Sequence, residues 1–225
     1  MPHISISDLS VTFNIYGANS RSLKKQLVST ATGGRVVSGA NDAVAIRALN
    51  NINLEIKDGE RIGLVGHNGS GKSTLLRTLA GIYKPTRGKI EISGTIGALL
   101  DPNAGMEPDA TGIENIFLRG YVLGMSDAQI RANIDEIADF TELGNFLDLP
   151  LRTYSAGMFA RLAFAISTTI RPQILLMDEG IGAGDEAFKE KMKIRLSSFV
   201  GEANILILAS HDQSLMDQFC DRRIH

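Results

Sequence analysis

The sequence lacks any apolar run long enough to cross a membrane. Runs such as Ile205–Ala209 and Ile174–Met177 fall far short of the ~20 residues that a spanning helix needs. The chain has no secretory pattern at Met1–His3 and one cysteine, Cys220, which cannot form an internal disulfide. These absences predict a cytoplasmic protein of a reducing compartment, with no membrane anchor of its own.

The chain also lacks an excess of either charge. Lys and Arg total 23, Asp and Glu total 25, and the formal net charge is −2. That balance gives no general attraction to nucleic acid or anionic lipid, so nucleic acid is not an expected partner. With 225 residues and 44% hydrophobic residues, the chain is expected to fold as one large globular domain or one domain with an appendage.

Strand and helix patterns alternate along the chain. Apolar residues alternate with polar ones from Ile4 to Phe13, with one phase slip, and again from Ile52 to Ile56, which indicates half-buried strands. Shorter runs predict further strands at Ile62–Val65, Lys89–Ser93, Ile174–Met177 and Ile205–Ala209. Helices are predicted from about Lys72 to Gly81, over Ser155–Ile170 and over Glu186–Phe199. The order favours an α/β fold with a mainly parallel core sheet.

Two segments stand apart from this alternation. Residues 102–150 are mostly helical in pattern and predict an α-helical subdomain, inserted in a core formed by residues 1–101 and 151–225. Residues 14–45 are a looser insertion that contains the basic stretch Arg21–Leu27, where Leu23 and Leu27 permit a short amphipathic helix. A solvated surface insertion is the alternative interpretation of this segment.

A glycine-rich loop lies between the strand at Ile62–Val65 and the following helix. It fits the pattern G-x-x-x-x-G-K-[ST], a phosphate-binding loop. Its glycines let backbone N–H groups turn toward phosphates, and the helix begins with its positive end at the same place. Lys72 adds a charge for the β- and γ-phosphates, and Ser73 offers a hydroxyl to Mg²⁺. The predicted nucleotide-binding residues are Gly66, His67, Asn68, Gly69, Ser70, Gly71, Lys72, Ser73 and Thr74.

Two carboxylates follow the apolar strand Ile174–Met177, in the arrangement of a Walker B motif. Asp178 stands at the carboxyl end of the strand, the edge where ligands of open α/β sheets bind, and is expected to reach Mg²⁺ through water. Glu179 comes next and is the candidate general base that activates the attacking water.

The stretch Tyr154–Met158, upstream of Walker B, resembles the signature motif of ATP-binding-cassette (ABC) ATPases, usually written L-S-G-G-Q. Ser155 and Gly157 match that string, whereas Tyr154, Ala156 and Met158 depart from it. The matching residues suit a helix start that binds phosphate, because Ser caps the helix and Gly allows close approach.

The resemblance extends over nearly the whole chain. It implies a P-loop NTPase with a RecA-like core sheet, an antiparallel β subdomain and the inserted helical subdomain. Asp185 occupies the place of the D-loop acid, and His211 that of the switch histidine at the γ-phosphate. Phe13 or Tyr16 occupies the place of the aromatic residue that stacks on adenine.

A departure from the family's usual sequence indicates one branch of the family. The family's usual glutamine is absent, and Asp101 begins a stretch, through Asn115, that resembles the ATP-binding subunits of bacterial polysaccharide exporters. Those read roughly L-L-E-x-G-A-G-F-x-P-x-x-T-G-x-E-N and also carry the Y-S-x-G-M signature. Asp101 stands where the branch has Glu, so it is a further candidate for a Mg²⁺ or water contact.

The resemblance implies a homodimer that holds two ATP molecules between its halves. It also implies a separate transmembrane permease subunit, in two copies, and a lipid-linked glycan of the O-antigen, teichoic acid or capsule type as the transported substrate. The chain is then peripheral at the cytoplasmic face of the bacterial inner membrane. Three alternatives remain open: an exporter of a drug or lipid, a soluble ABC ATPase without a membrane partner, and a non-catalytic nucleotide-binding regulator.

Overall fold

The chain folds into two β-sheets with helices packed around them. The computed structural model describes residues 1–15, 36–38, 44–178 and 186–225. Its strands, in chain order, are β1 (His3–Ile15), β2 (Val36–Ser38), β3 (Val44–Ile56), β4 (Arg61–Leu64), β5 (Arg87–Ser93), β6 (Ile96–Leu99), β7 (Ile174–Met177), β8 (Ile205–Ala209) and β9 (Arg222–Ile224).

The helices follow the strands in the predicted alternating order. They are α1 (Lys72–Leu79), α2 (Gly112–Val122), α3 (Asp127–Thr141), α4 (Ala156–Ser167), α5 (Glu186–Glu202) and α6 (Gln213–Phe219). Two 3₁₀ helices, Gly144–Asp148 and Leu151–Thr153, connect α3 to α4. No helix in these described ranges is both long enough and apolar enough to cross a bilayer.

Four strands form an antiparallel sheet in the order β2-β3-β1-β5. The inward residues Ile4, Ile6 and Leu9 of β1 are almost fully buried. The predicted phase slip is confirmed, because the pairing register shifts between Ile6 and Leu9, where Asp8 adopts a φ of 52°. The bulge keeps Leu9 on the buried face although its spacing from Ile6 is odd.

The predicted insertion meets this sheet at both ends. Asn14 pairs with Ala45 in the register of β1 and β3, and β2 pairs with the first residues of β3. The rest of the segment, including Tyr16 and the basic stretch Arg21–Leu27, lies outside the described residues. The division of the chain at residues 101 and 150 stays a prediction.

Five strands form a parallel sheet in the order β6-β7-β8-β4-β9. Every residue of β7 and β8 is buried. Their near-continuous apolar runs predicted this burial, because such runs are typical of strands that are covered on both faces. The order is important for the site, because β7, β8 and β4 are adjacent and parallel. Their carboxyl ends therefore meet at one edge of the sheet.

The helical segment between β6 and β7 is built on strong helix caps. Thr111 caps α2 and Ser126 caps α3, and each forms a reciprocal capping box with the residue three positions later, Glu114 and Gln129 respectively. Apolar residues of these helices pack with α4 and the face of the parallel sheet in one core. A second core lies between the two sheets and includes α1.

One helix boundary was predicted wrongly. The apolar pattern predicted a helix to Ile170, ended by Pro172, but α4 ends at Ser167. The hydroxyls of Thr168 and Thr169 donate to the carbonyls of Phe164 and Ala165, both at 2.9 Å. These side-chain bonds satisfy carbonyls of the last turn locally, so the helix terminates before the proline.

Candidate nucleotide site

The loop that follows β4 carries the predicted phosphate-binding residues. Within it, the Ser70 N–H donates to the His67 carbonyl oxygen at 3.0 Å, which closes a turn. Gly69 and Gly71 have φ values of 80° and 109°, in the region that favours glycine. Helix α1 begins at Lys72, as predicted, and its N-cap residue Gly71 makes no side-chain cap. The first N–H groups of α1 are therefore available to an anion.

Lys72 folds back over this loop. Its Nζ donates to the Gly66 carbonyl oxygen at 2.7 Å and to the His67 carbonyl oxygen at 3.4 Å. The ammonium group is thus held beside the N-terminus of α1, so two sources of positive potential converge on one place. A bound phosphate would find both a fixed charge and oriented N–H groups there.

The loop forms one wall of an open pocket of about 320 Å³. Asp178, which follows β7, and His211, which follows β8, also line the pocket, because β7, β8 and β4 are neighbours in the parallel sheet. The full set of lining residues is Ile46, Arg47, Ala48, Asn68, Gly69, Ser70, Gly71, Lys72, Ser73, Thr74, Asp178 and His211. The volume is in the range of small-molecule sites, and the polar groups belong to separate chain segments.

Asn68 connects the loop to His211. Its Oδ1 lies 2.8 Å from Nε2 of His211, and its own carbonyl oxygen lies 2.8 Å from Nδ1 of His67. The predicted γ-phosphate histidine is therefore in direct contact with the phosphate loop. No sequence pattern predicted this contact, because the two residues are far apart in the chain.

The pocket offers a hydroxyl and a carboxylate for a divalent cation. Ser73 and Asp178 both line it. Mg²⁺ usually retains several waters and takes one or two protein oxygens together with substrate phosphates, so this sparse donor set fits Mg²⁺. The described part of the chain holds no cluster of three or more His, Cys, Asp or Glu side chains that would suit a protein-only metal site.

Asp101 lies outside the lining of the pocket. It is exposed in the turn after β6, and its carboxylate accepts a hydrogen bond from the Asn103 N–H at 2.8 Å. The peptide N–H of Asp178, a lining residue, donates to the Leu99 carbonyl oxygen at 3.1 Å. Asp101 is two residues after Leu99, so the turn lies close to the pocket without lining it. A Mg²⁺ contact from Asp101 stays a prediction.

Phe13 lies next to the pocket on β1. Its Cα partner on β3 is Ile46, which lines the pocket, while Phe13 itself does not. The ring centroids of Phe13 and Tyr83 are 5.1 Å apart, in an edge-to-face arrangement. Tyr83 and Ile46 were missed by the sequence analysis. Alternation on strands indicates burial, but it does not indicate which residues of separate segments, here Tyr83 after α1 and Ile46 on β3, adjoin Phe13.

The signature residues lie away from this pocket. Ser155 caps α4 by accepting a hydrogen bond from the Met158 N–H at 3.2 Å, as its residue type predicted. A Cβ on Gly157 would meet only the Ser155 hydroxyl, at 3.8 Å, so the start of α4 is an open surface. The predicted base Glu179 and D-loop acid Asp185 lie outside the described residues.

Gly71 is expected to be intolerant of a side chain. A Cβ there would lie 2.9 Å from both the Ala48 carbonyl oxygen and Leu49 Cδ2, and the φ of 109° is strained for alanine. Gly71→Ala is therefore expected to lower the free energy of unfolding by about 1–2 kcal/mol or more, measured by urea denaturation. Gly201→Ala in α5 is the control, because its Cβ meets open space and should not destabilise the protein. Equal stability of Gly71→Ala and the unmodified chain would contradict this account.

Known proteins resemble the chain over most of its length. A family model described as "ABC transporter" matches residues 49–182. The O-antigen export system ATP-binding protein RfbE of Yersinia enterocolitica is 45% identical over 222 residues, which are 99% of this chain and 93% of that protein.

Other relatives are longer than this chain. The O-antigen export system ATP-binding protein RfbB of Myxococcus xanthus is 47% identical over 81% of this chain and 42% of its own length. The teichoic acids export ATP-binding protein TagH of Lactococcus lactis subsp. lactis is 40% identical over 79% of this chain and 38% of its own length. The chain thus spans less than half of these two proteins.

Among solved structures, the ATP-binding cassette MJ0796 is similar in fold. Its dimeric post-hydrolysis structure, bound to ADP and Pi, has a TM-score of 0.66 and 24% sequence identity. The likeness covers 94% of this chain and 89% of that one. At this identity it shows the fold alone, and that fold is the predicted P-loop cassette with a parallel and an antiparallel sheet.

Proposed function

This chain belongs to the ABC transporter family, as its motifs predicted, and we propose that it is the ATP-hydrolysing subunit of a bacterial polysaccharide exporter. The observation that carries the proposal is the pocket itself. It combines the phosphate loop and Lys72 with Ser73, Asp178 and His211 at adjoining strand ends. RfbE, which this chain matches over nearly its full length, is an O-antigen export protein by name.

ATP is the proposed ligand of the pocket. The N-terminus of α1, the loop N–H groups and Lys72 would bind the triphosphate, since the loop residues, Lys72 and the next residues of α1 line one pocket. The strand segment from Ile46 to Ala48 would lie toward the nucleoside, beside the aromatic residue Phe13 or Tyr16. Mg²⁺, held by Ser73 and Asp178, would neutralise charge on the β- and γ-phosphates.

Hydrolysis needs a base and a group at the γ-phosphate. Glu179 follows Asp178 directly in the sequence, and we propose it as the base that would take a proton from the attacking water. His211 lies at the neighbouring strand end and contacts the phosphate loop through Asn68. It would contact the γ-phosphate, so the position of the segment after β8 would depend on whether that phosphate is bound.

A second copy of the chain would complete the site. Ser155 and Gly157 lie outside this chain's own pocket, at the exposed N-terminus of α4. A helix N-terminus suits a γ-phosphate, and a homodimer with two ATP molecules between its halves would place it there. Asp185 would contribute at the same interface. ATP would then hold the halves together and hydrolysis would release them.

The exported substrate is proposed to be a lipid-linked glycan of the O-antigen, teichoic acid or capsule type. A separate permease in two copies would provide the membrane path, and the chain would be peripheral to it at the cytoplasmic face of the inner membrane. The support is the agreement of the branch motif around Asp101 with the names of the relatives, O-antigen and teichoic acid export proteins.

Deletion of the gene in its source cell is expected to remove the polysaccharide from the cell surface. Lipid-linked glycan should accumulate inside, measured by immunoblotting of intact cells and by lipid extraction. The unmodified chain and Lys84→Ala, an exposed lysine of a separate pocket, should restore export, whereas Lys72→Ala should not. Unchanged surface polysaccharide in the deletion strain would favour a drug or lipid exporter, or an ATPase without a membrane partner.

A further inference from the structure

One buried arginine joins the turn after β6 to helices α2 and α4. Arg119, in α2, is only 4% exposed. Its Nε and Nη2 donate to Ser167 Oγ at 3.0 and 2.8 Å. Its Nη1 donates to the carbonyl oxygens of Pro102 and Ala104 at 2.8 and 2.6 Å, and Nη2 also donates to that of Asp101 at 3.4 Å. All five donors of the guanidinium are therefore used.

Burying this charge is costly. Burial lowers the pKa of Arg119 to about 10, while the negative charge of Asp101 opposes the shift, so the group stays charged at neutral pH. Stability alone is often served as well by an apolar side chain. An apolar side chain, however, lacks the planar guanidinium group, whose N–H donors hold acceptors from separate segments in one geometry.

The turn that Arg119 holds is linked to the edge of the nucleotide pocket through the end of β6. Leu99, at the end of β6, is hydrogen-bonded to the N–H of Asp178, which lines the pocket. The turn also packs directly on α2, because Gly105 has a φ of 74° and a Cβ there would lie 2.8 Å from Val122. Residues 101–105 and α2 are thus tied together by contact as well as by hydrogen bonds.

The other partner of Arg119 belongs to the signature helix. Ser167 is the last residue of α4, and its hydroxyl donates to the Ala163 carbonyl oxygen at 2.6 Å while accepting from Arg119. Twelve residues of α-helix span about 18 Å, and the opposite end of α4 carries Ser155 and Gly157. Arg119 therefore connects the pocket's edge to the helix that presents the signature residues.

We propose that Arg119 is a positioning residue that makes residues 101–105 and helix α4 move as one body. Nucleotide bound in one protomer would then set the position of Ser155 and Gly157 for the other. The proposal rests on the proposed function in one respect, that these two residues act on ATP across a dimer. Arg119 itself is outside the pocket and acts only through the segments that it joins.

Two variants separate this role from general damage to the fold. Ser167→Ala removes the link to α4 and leaves the loop carbonyls bonded to Arg119. Arg119→Lys keeps the charge and loses the fork. Thr169→Val is the matched control, since its buried hydroxyl, two residues after α4, donates to the Ala165 carbonyl oxygen of that helix at 2.9 Å and is not a partner of Arg119.

We expect Ser167→Ala and Arg119→Lys to bind ATP like the unmodified chain but to hydrolyse it with kcat lowered about 10- to 100-fold, because misplaced groups rather than lost contacts limit the reaction. Titration with a fluorescent ATP analogue and steady-state ATPase assays measure the two quantities. Hydrogen exchange should accelerate at residues 101–105 and in the last turn of α4, and stay unchanged at residues 66–73. Thr169→Val should retain the normal kcat.

Equal kcat in all three variants, or ATP affinity that falls in parallel with kcat, would overturn the positioning role. If the unmodified chain does not hydrolyse ATP, the proposed function fails. Hydrogen exchange alone then tests whether Arg119 links residues 101–105 to α4. Faster exchange at both segments in Ser167→Ala then supports the link, and unchanged exchange refutes it.

Discussion

Glutamine in place of Glu179 is expected to slow ATP hydrolysis by about 10²- to 10⁴-fold while ATP remains bound. Glutamine keeps the shape of the side chain and removes the proton acceptor. The contacts of the phosphate loop are expected to persist, because the substitution leaves Lys72 and the N-terminus of α1 unchanged. Single-turnover hydrolysis and equilibrium binding of ATP measure the two effects separately.

The same variant should accumulate as an ATP-bound dimer, because ATP that is not cleaved keeps the halves together. Light scattering is expected to show a doubled mass with ATP and the monomer mass without it. Adding Ser155→Ala should abolish that dimer. Ser126→Ala is the matched control, because it also removes a serine N-cap, from α3, at a similar cost of about 1 kcal/mol, without touching the signature.

Near-normal turnover in Glu179→Gln would remove Glu179 from the role of base. A dimer that survives Ser155→Ala as well as Ser126→Ala would exclude a contact of Ser155 with ATP across the interface. The role of Glu179 as base and the contact of Ser155 with ATP are therefore tested independently in the same Glu179→Gln protein.

Much of the candidate nucleotide site could be predicted because the residues that form it are close together in sequence. The phosphate loop needs Gly71 where the backbone turns and Lys72 where the helix starts, and both requirements are visible in eight consecutive residues. The buried strand β7 followed by Asp178 is equally compact. Even the phase slip of β1 was visible, since the bulge at Asp8 shifts the apolar pattern by one residue.

What the sequence did not predict depends on contacts between distant segments. The fork of Arg119 onto Ser167 and the Asp101–Ala104 carbonyls joins three segments, and a lone arginine in a helix is ordinarily read as a solvated residue. Helix α6 and strand β9 were missed for a related reason. Both are short, and β9 is an edge strand whose first two residues are exposed, so neither shows a clear apolar period.

Loss of the ammonium group in Lys72→Ala is expected to reduce ATP affinity by about 100-fold or more, since a charge-assisted hydrogen bond contributes about 1.5–3 kcal/mol and Lys72 would serve two phosphates. The free energy of unfolding should change by less than about 0.5 kcal/mol, because the exposed carbonyl of His67 and the partly covered carbonyl of Gly66 can be hydrated instead. Calorimetric titration and urea denaturation separate binding from folding. Lys84→Ala, at a separate pocket, is expected to retain normal affinity.

The dependence on phosphate number tests the assignment more sharply than the affinity itself. If Lys72 contacts the β- and γ-phosphates, its loss should weaken ATP and ADP binding strongly and AMP binding little, because AMP lacks both groups. The preference for ATP over AMP would then nearly disappear in Lys72→Ala. A uniform loss for all three nucleotides would instead indicate that the loop itself had collapsed, and unchanged ATP affinity would contradict the phosphate-loop assignment on which the nucleotide site is built.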